Sequence, residues 1–236
     1  MAYIPLPPQI PETIDQLHIP DGFVSAPVAI AGYIATGLIL AIAIRHTNRN
    51  LGEKAAPLMG VIAAFIFAAQ MINFPVAGGT SGHLLGGTLA AIFLGPWAAI
   101  IAMASVVSVQ ALVFQDGGLA ALGVNVFNMG IVTALLGCTI YTFGIKALPK
   151  TPAMRIGSAF VAAWISVMAA ATLTSVQLAI SDTSSLDVAL PAMLGVHALI
   201  GIGEGLITAA AVAFVASAQP DLLEGSSPTR SAVEAR

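Results

Sequence analysis

Charge is scarce in this sequence. Lysine, arginine, aspartate and glutamate make up only 8% of its 236 residues, against about 25% in ordinary soluble domains. Hydrophobic residues account for 58%, and the mean hydropathy is +0.94. This composition excludes a soluble globular domain and predicts segments that lie within lipid. No basic block is present to neutralise the phosphates of a nucleic acid, so we expect no nucleic-acid partner.

Cysteine and the common catalytic motifs are also scarce or missing. Cys138 is the only cysteine, which excludes an internal disulfide and a CxxC metal site. The phosphate loop GxxxxGKS/T, the zinc helix HExxH and the nucleophile elbow GxSxG do not occur. We therefore expect neither an enzyme nor an ATPase of its own, so active transport would draw its energy from another protein. Residues 1–26 lack the basic start and continuous apolar centre of a cleavable signal peptide.

What the sequence has instead is a series of apolar runs. A membrane-spanning helix needs about 20 predominantly apolar residues, and runs near that length recur along the chain. We predict an all-α integral membrane protein with about seven transmembrane helices. The predicted spans are about 27–44, 57–73, two within 84–114 that are separated by a turn at 95–97, 125–145, 157–180 and 188–217.

Three regions follow one another along the chain. We predict a proline-rich extracytoplasmic extension over 1–17, a seven-helix membrane domain over 18–217 and a polar cytoplasmic tail over 218–236. Lysine and arginine indicate the orientation, because they are enriched in cytoplasmic loops. With the N-terminus outside and seven spans, all eight basic residues fall inside. The prediction is a multi-pass protein of the cell's inner (plasma) membrane with a cytoplasmic C-terminus.

Two of the four histidines are candidate metal ligands. His18 lies in QLHIPDGF just before the first span, and His83 lies in the glycine-rich block GGTSGHLLGG; both fall on the predicted outer side. Imidazole suits nickel, cobalt, copper and zinc, and the glycines let the backbone come close to an ion. The Asp21 carboxylate, backbone nitrogens or water would complete the ligand set. The alternative is a pair of interfacial histidines bonded to loop carbonyls.

Polar residues in or near the spans are the next candidates. Glu204 is the only acidic residue predicted inside a span, so it needs a partner in the protein interior. His197 lies two turns earlier on the same helix face. Both would support the site or couple it to partner proteins, and the alternative is simple helix packing. Gln110, Asn125 and Asn128 would orient the histidines, as metal-bound imidazoles require, or would join helices without any ligand.

Four blocks of the sequence resemble the CbiM/NikM family. They are LHIPDGFVS, GGTSGHLLGGTLAAIFLGPWAAIIAM, QALVFQDGGLAALGVNVFNMGIV and HALIGIGEGLIT, in that order over about residues 17–218. Members of this family are substrate-capture components of energy-coupling-factor transporters for cobalt and nickel. The resemblance implies a seven-helix fold, an N-terminus outside the cell and a buried site for a divalent ion. It implies no cofactor, since Co²⁺ or Ni²⁺ is the transported ligand.

The resemblance also implies ligands and partners. In the family, the ion is held in a square plane by the free N-terminal amine, by the backbone nitrogen and side chain of the histidine after the initiator methionine, and by a histidine in the Gly-Ser-Gly-His block. His18 and His83 occupy the two histidine positions. The expected partners are a transmembrane coupling protein, an ATPase pair and often a small accessory membrane subunit.

One departure from the family opens an alternative. Leu17 stands where the initiator methionine is expected, so an intact chain has a peptide nitrogen in place of the amine. Clipping between Gln16 and Leu17, a different start, or an altered or lost metal site would each account for this. In the last case the chain would be a structural subunit of a larger membrane complex. Its 1–17 arm would contact the other subunits, and in polyproline II conformation the arm could reach roughly 50 Å. A transporter for an organic ligand is a third option.

Overall fold

The computed structural model describes residues 18–50, 55–76 and 80–219, and these are helical over most of their length. The predicted 1–17 arm lies outside the described residues. The helices are α1 (Ala26–Asn50), α2 (Ala55–Gln70), α3 (Gly87–Leu94), α4 (Pro96–Val113), α5 (Leu122–Val126), α6 (Thr133–Ala147), α7 (Pro152–Ile180) and α8 (Leu186–Ala218). A π-helical turn, Phe127–Val132, joins α5 and α6 into one continuous span, and the strands β1 (Asn73–Val76) and β2 (Thr80–His83) form a short antiparallel hairpin.

Membrane-spanning length is the main property of these helices. In the described part of the chain, five helical segments are long and apolar enough to cross a bilayer: 26–48, 96–113, 122–147, 152–180 and 186–218. Large apolar side chains face outward, as lipid contact requires; Phe143 and Leu199 are each 72% exposed. The predicted all-α membrane fold is therefore confirmed. The number of crossings and the orientation stay predictions.

Helix α3 is much shorter than a membrane crossing. Its eight residues rise about 12 Å, whereas the hydrocarbon core is about 30 Å thick. Residues 84–94 form a predicted span, but the helix begins only at Gly87 because Gly86 has a left-handed φ of 81°. The predicted turn at 95–97 is confirmed: Gly95 has φ 76°, and Pro96 starts α4 at the position where proline is favoured.

The hairpin differs from the predicted glycine-rich loop. Helix α2 ends at Gln70, and Asn73, a predicted helical residue, already pairs with His83 at the open end of the hairpin. Strands of four residues are too short to show a clear alternation of apolar and polar residues, so the sequence did not predict this pairing. The hairpin matters for the site because it fixes where His83 leaves the sheet.

Small residues let the long helices approach one another. Helix α7 packs along α8, where a Cβ on Gly205 would lie 2.7 Å from Phe160 Cδ2 and one on Gly201 would lie 3.0 Å from Trp164 Cδ1. Helix α3 packs between α4 and α6, with Ala90 and Ala91 buried in the main apolar core. This close packing is typical of membrane helices, and it holds the end of β2 against α8.

Candidate metal centre

The segment from His18 to Asp21 is held against the loop between α4 and α5. The N–H of Ile19 donates to Asn125 Oδ1 (3.1 Å), and the Ile19 carbonyl accepts from Asn125 Nδ2 (3.0 Å). The same carbonyl accepts from the N–H of Gly118 (2.9 Å). These bonds satisfy both polar backbone groups of the residue after His18, so they also fix the path of the His18 backbone.

The Asp21 carboxylate caps the turn before α5. Its Oδ1 accepts from the N–H groups of Ala120 (2.7 Å) and Ala121 (3.3 Å), and its Oδ2 accepts from that of Leu119 (3.1 Å). Amides that precede a helix lack helical partners, so an aspartate at this position stabilises the turn. Both oxygens of this predicted metal ligand therefore contact backbone amides. A metal-binding role for Asp21 stays a prediction.

Two glycines leave the space that this segment occupies, which explains the block QDGG at 115–118. A Cβ on Gly117 would lie 2.7 Å from the Cβ of His18. A Cβ on Gly118 would lie 2.0 Å from Oδ1 and 2.2 Å from the backbone nitrogen of Asp21. Gly117 also has φ +92°, in the left-handed region that favours glycine. The docking of His18 therefore depends on the absence of two side chains.

His18 and His83 meet in a buried edge-to-face contact. Their ring centroids lie 4.8 Å apart and their planes are inclined by 80°. Nδ1 of His18 lies 3.2 Å from the Asp116 carbonyl oxygen, and Nδ1 of His83 lies 2.8 Å from that of Leu84. A carbonyl only accepts, so each Nδ1 carries the hydrogen and each Nε2 keeps its lone pair. Among the described residues, Nε2 of His18 is buried without a hydrogen-bond partner.

Burial keeps both imidazoles neutral. It lowers the pKa of His18 to about 4, against a smaller opposing effect of the bond to Asp116. It lowers the pKa of His83 to about 3, with the neighbouring His18 lowering it further. Nδ1 of His18 lies 3.7 Å from Asp116 Oδ1, but a neutral ring makes this a polar contact rather than an ion pair at pH 7. Metal ligation requires the neutral imidazole, so protons do not compete with an ion near neutral pH.

Asp116 is a buried site residue that the sequence did not single out. Its Oδ1 accepts from the backbone N–H of His18 (3.3 Å), and its carbonyl accepts from the His18 ring. Gln115, just before it, has φ 55°, an uncommon value for a residue other than glycine. This local strain turns both the carboxyl and the carbonyl of Asp116 toward His18. The glycines that follow it are the one sequence signal that pointed here.

Glu204 reaches the site from α8. It is buried, its Oε2 accepts from the N–H of Leu85 (2.7 Å), and its Oε1 accepts from the N–H of Gly86 (2.9 Å). The predicted need for a partner in the interior is confirmed, and the partner is backbone rather than a side chain. These two amides directly follow His83 and Leu84, so Glu204 joins α8 to the end of the hairpin.

Each of the remaining predicted residues has its own surroundings, and within the described part of the chain none of them forms a hydrogen bond to either ring. His197 is close enough to act electrostatically on His83, and its Nδ1 donates to the Met193 carbonyl (2.8 Å). The Gln110 side chain is buried, and among the described residues it has no hydrogen-bond partner. Asn128 bonds to Thr174 and Gln177 on α7, at 2.6–3.1 Å.. The roles of these three residues toward an ion stay predictions. The bonds of Asn128 to α7 also fit the alternative, in which it joins helices without any ligand.

A family model covers most of the chain. The model of CbiM, described as "Cobalt uptake substrate-specific transmembrane region", matches residues 18–222. A solved structure titled "Crystal Structure of an transition metal transporter" superposes with a TM-score of 0.79 at 32% identity, over 90% of this chain and 99% of that one. The match begins at His18, the first ligand candidate.

Relatives in three organisms agree with that match. A NikMN homologue of Archaeoglobus fulgidus is 44% identical over 210 residues, which cover 88% of this chain and 68% of the relative. The fused nickel transport protein NikMN of Rhodobacter capsulatus is 34% identical over 88% of this chain and 64% of its own length. The cobalt transport protein CbiM of Sorangium cellulosum is 32% identical over 78% of this chain and 84% of its own length. These names do not favour the structural-subunit alternative, and the chain belongs to the CbiM family of substrate-specific transmembrane regions.

Proposed function

We propose that this chain is the substrate-capture subunit of an energy-coupling-factor uptake transporter for nickel or cobalt. The observation that carries the proposal is the contact between His18 and His83, two buried neutral imidazoles whose Nε2 lone pairs remain for a ligand. Nitrogen donors of this kind suit both ions. The names of the nickel and cobalt transport relatives support the same cargo.

The ligand set that we propose is Nε2 of His18, Nε2 of His83 and the carboxylate of Asp116. Within the described residues no three His, Cys, Asp or Glu side chains already surround one ion position, so this ligand set would require the Asp116 side chain to rotate when an ion binds. Asp116 is preferred to Asp21 because its Oδ1 lies 3.7 Å from the His18 ring, whereas Asp21 caps backbone amides. A carboxylate also offsets part of the charge of a divalent ion in a buried site.

Asp116 takes the place of the amine that the family resemblance implies. In an intact chain the nitrogen of Leu17 belongs to a peptide bond rather than to a free amine, and the next N–H, that of His18, is donated to Asp116 Oδ1 at 3.3 Å. A peptide N–H is a donor, so its nitrogen offers an ion a lone pair only after it loses its proton. A carboxylate beside it supplies both the missing ligand and a negative charge.

In this proposal, other proteins supply the energy for transport and act as partners of the chain. The chain carries no GxxxxGKS/T loop, so a separate ATPase pair would act through a transmembrane coupling protein, with a small accessory membrane subunit as a further partner. The predicted orientation in the plasma membrane places the hairpin and His18 outside and the basic loops inside. The ion would enter from outside and leave after the coupling protein remodels or tips the subunit.

The test is a titration of the purified full-length chain with Ni²⁺ and with Co²⁺, after intact mass has established its N-terminus. We expect one ion per chain, and the substitution His83→Ala should abolish binding because it removes one of two imidazole ligands. His46→Ala is the matched control, since His46 is exposed near the other end of α1, beside Trp97. Unchanged affinity in His83→Ala, or equal losses in both variants, would contradict the assignment.

A further inference from the structure

The connection between Glu204 and His83 passes through a single peptide group. Glu204 Oε2 accepts from the N–H of Leu85, and the carbonyl of Leu84 accepts from Nδ1 of His83. That N–H and that carbonyl belong to the same planar peptide, and in a trans peptide they point in opposite directions. The carboxylate and the imidazole therefore bond to opposite edges of one rigid unit.

This geometry has a chemical consequence for His83. A carboxylate that accepts the N–H of a peptide polarises it and strengthens the carbonyl on the other edge as an acceptor. That carbonyl holds the hydrogen of the imidazole on Nδ1, which leaves the lone pair on Nε2. In metal sites a histidine commonly donates its second ring nitrogen to a carboxylate or carbonyl, and this bond selects the tautomer.

The next peptide is held as well, which makes the unit rigid. Glu204 Oε1 accepts from the N–H of Gly86 (2.9 Å), and Gln70 Nε2 donates to the Leu85 carbonyl (2.7 Å). A Cβ on Gly86 would lie 2.7 Å from Ile66 Cγ2, so α2 closes the remaining side. The turn from β2 into α3 therefore has no room to rotate while Glu204 is in place.

We propose that Glu204 is a positioning residue for metal capture: through the Leu84–Leu85 peptide it sets the tautomer and the orientation of the His83 ring. The inference rests on the proposed function, because it assigns a role at the same site. Helix packing alone does not require a buried carboxylate, which is costly in a membrane interior and persists only with partners. The two amides of a ligand-bearing turn are those partners.

The first measurement needs no substitution in α8. The ring nitrogens of ¹⁵N-histidine-labelled protein are observed by NMR without metal, and the His83 signals are identified by their loss in His83→Gln. We expect hydrogen on Nδ1 and a lone pair on Nε2. Hydrogen on Nε2 of His83 in the unmodified protein would overturn the proposal, whatever any variant does.

The second measurement replaces Glu204 by glutamine. The glutamine oxygen can accept from one amide, but its NH₂ group then faces the other N–H, so one bond is lost and two donors oppose each other. We expect a mixture of His83 tautomers and an affinity for Ni²⁺ that is lower by about 10- to 100-fold, the range for groups that orient metal ligands. A folded Glu204→Gln protein with the original tautomer and affinity would overturn the proposal.

Thr208→Val is the matched control for this experiment. Thr208 lies one turn after Glu204 on α8, is buried and lines the same small cavity beside Leu84 and Gly86. Valine keeps the shape of threonine, so this variant reports on packing alone and should change neither tautomer nor affinity. Equal effects of Thr208→Val and Glu204→Gln would show a packing role and contradict the proposal.

The two proposals fail in different ways. If His83→Ala keeps its affinity for Ni²⁺, the metal assignment is wrong, while the tautomer measurement without metal still decides the role of Glu204. If His83→Ala loses binding but Glu204→Gln changes neither the ring signals nor the affinity, the metal assignment stands and Glu204 is a packing residue.

Discussion

His18 lies in a segment outside the long helices that bonds to the loop after α4 and to Asn125 in α5, whereas His83 is held from within the bundle by α8 and α2. The first attachment consists of hydrogen bonds from an irregular segment, and its close packing depends on Gly117 and Gly118. The second uses one buried carboxylate and a rigid turn. The comparison teaches that the two proposed ligands depend on separate supports, so each support can be removed alone.

The largest effect should come from breaking the His18 support at Gly118. In Gly118→Ala the new Cβ would lie about 2 Å from both the backbone and the carboxylate of Asp21, so the 18–21 segment must leave its place. We expect Ni²⁺ affinity to fall by about 100-fold, the upper end of the range for groups that support metal ligands, with a stability loss of about 1–3 kcal/mol from overpacking. Gly60→Ala is the control, since no atom lies within 4 Å of a Cβ there. Titration and thermal unfolding in detergent test both values, and retained affinity in Gly118→Ala would contradict the docking.

An intermediate effect is expected at Asp116, which belongs to both the His18 support and the proposed ligand set. Asp116→Asn keeps the shape and the acceptor for the His18 N–H but removes the negative charge. We expect Ni²⁺ affinity to fall by about tenfold or more, because bonds to a charged group are roughly twice as strong as neutral ones. Asp187→Asn, an exposed change in the first turn of α8, is the control. Equal affinities in the two variants would remove Asp116 from the ligand set.

The smallest effects should separate two neighbouring asparagines. Asn125→Ala removes both bonds to Ile19, each worth about 0.5–1 kcal/mol, so metal affinity should fall by about tenfold. Asn128→Ala removes the bonds to Thr174 and Gln177 on α7, so it should lower stability by about 1–3 kcal/mol and leave affinity unchanged. Titration and thermal unfolding of the pair test this. The reverse pattern would show that the His18 support does not depend on Asn125.

The sequence predicted the parts of this fold that depend on local pattern. Long apolar runs predicted the helices, and Gly95 followed by Pro96 predicted the turn before α4 because both residues have strong backbone preferences. The hairpin and the late start of α3 were not predicted, since four-residue strands and a left-handed Gly86 leave little trace in hydropathy. Long regular segments were therefore predictable from the sequence, whereas short ones were not.

The same limit applies to the site. His18 and His83 were paired because few histidines stand in an apolar sequence, and the structure places their rings in contact. Asp116 was missed because its contact with His18 joins residues 98 positions apart, and the only signal beside it was the pair of glycines that follows it. The partners of Glu204 were equally hidden, because backbone amides carry no signature of their own in a sequence.

The length of helix α8 relates the thickness of the membrane to the geometry of the proposed ion site. Its 33 residues rise about 50 Å, some 20 Å more than the hydrocarbon core, so the helix must tilt or protrude from the bilayer. Glu204 lies 18 residues after the first residue of α8, about 27 Å along its axis. A change in tilt of about 5° around that end displaces the carboxylate by about 2 Å, farther than a hydrogen bond stretches. In the proposed site, a thinner or thicker bilayer would therefore change the angle at which His83 presents its lone pair.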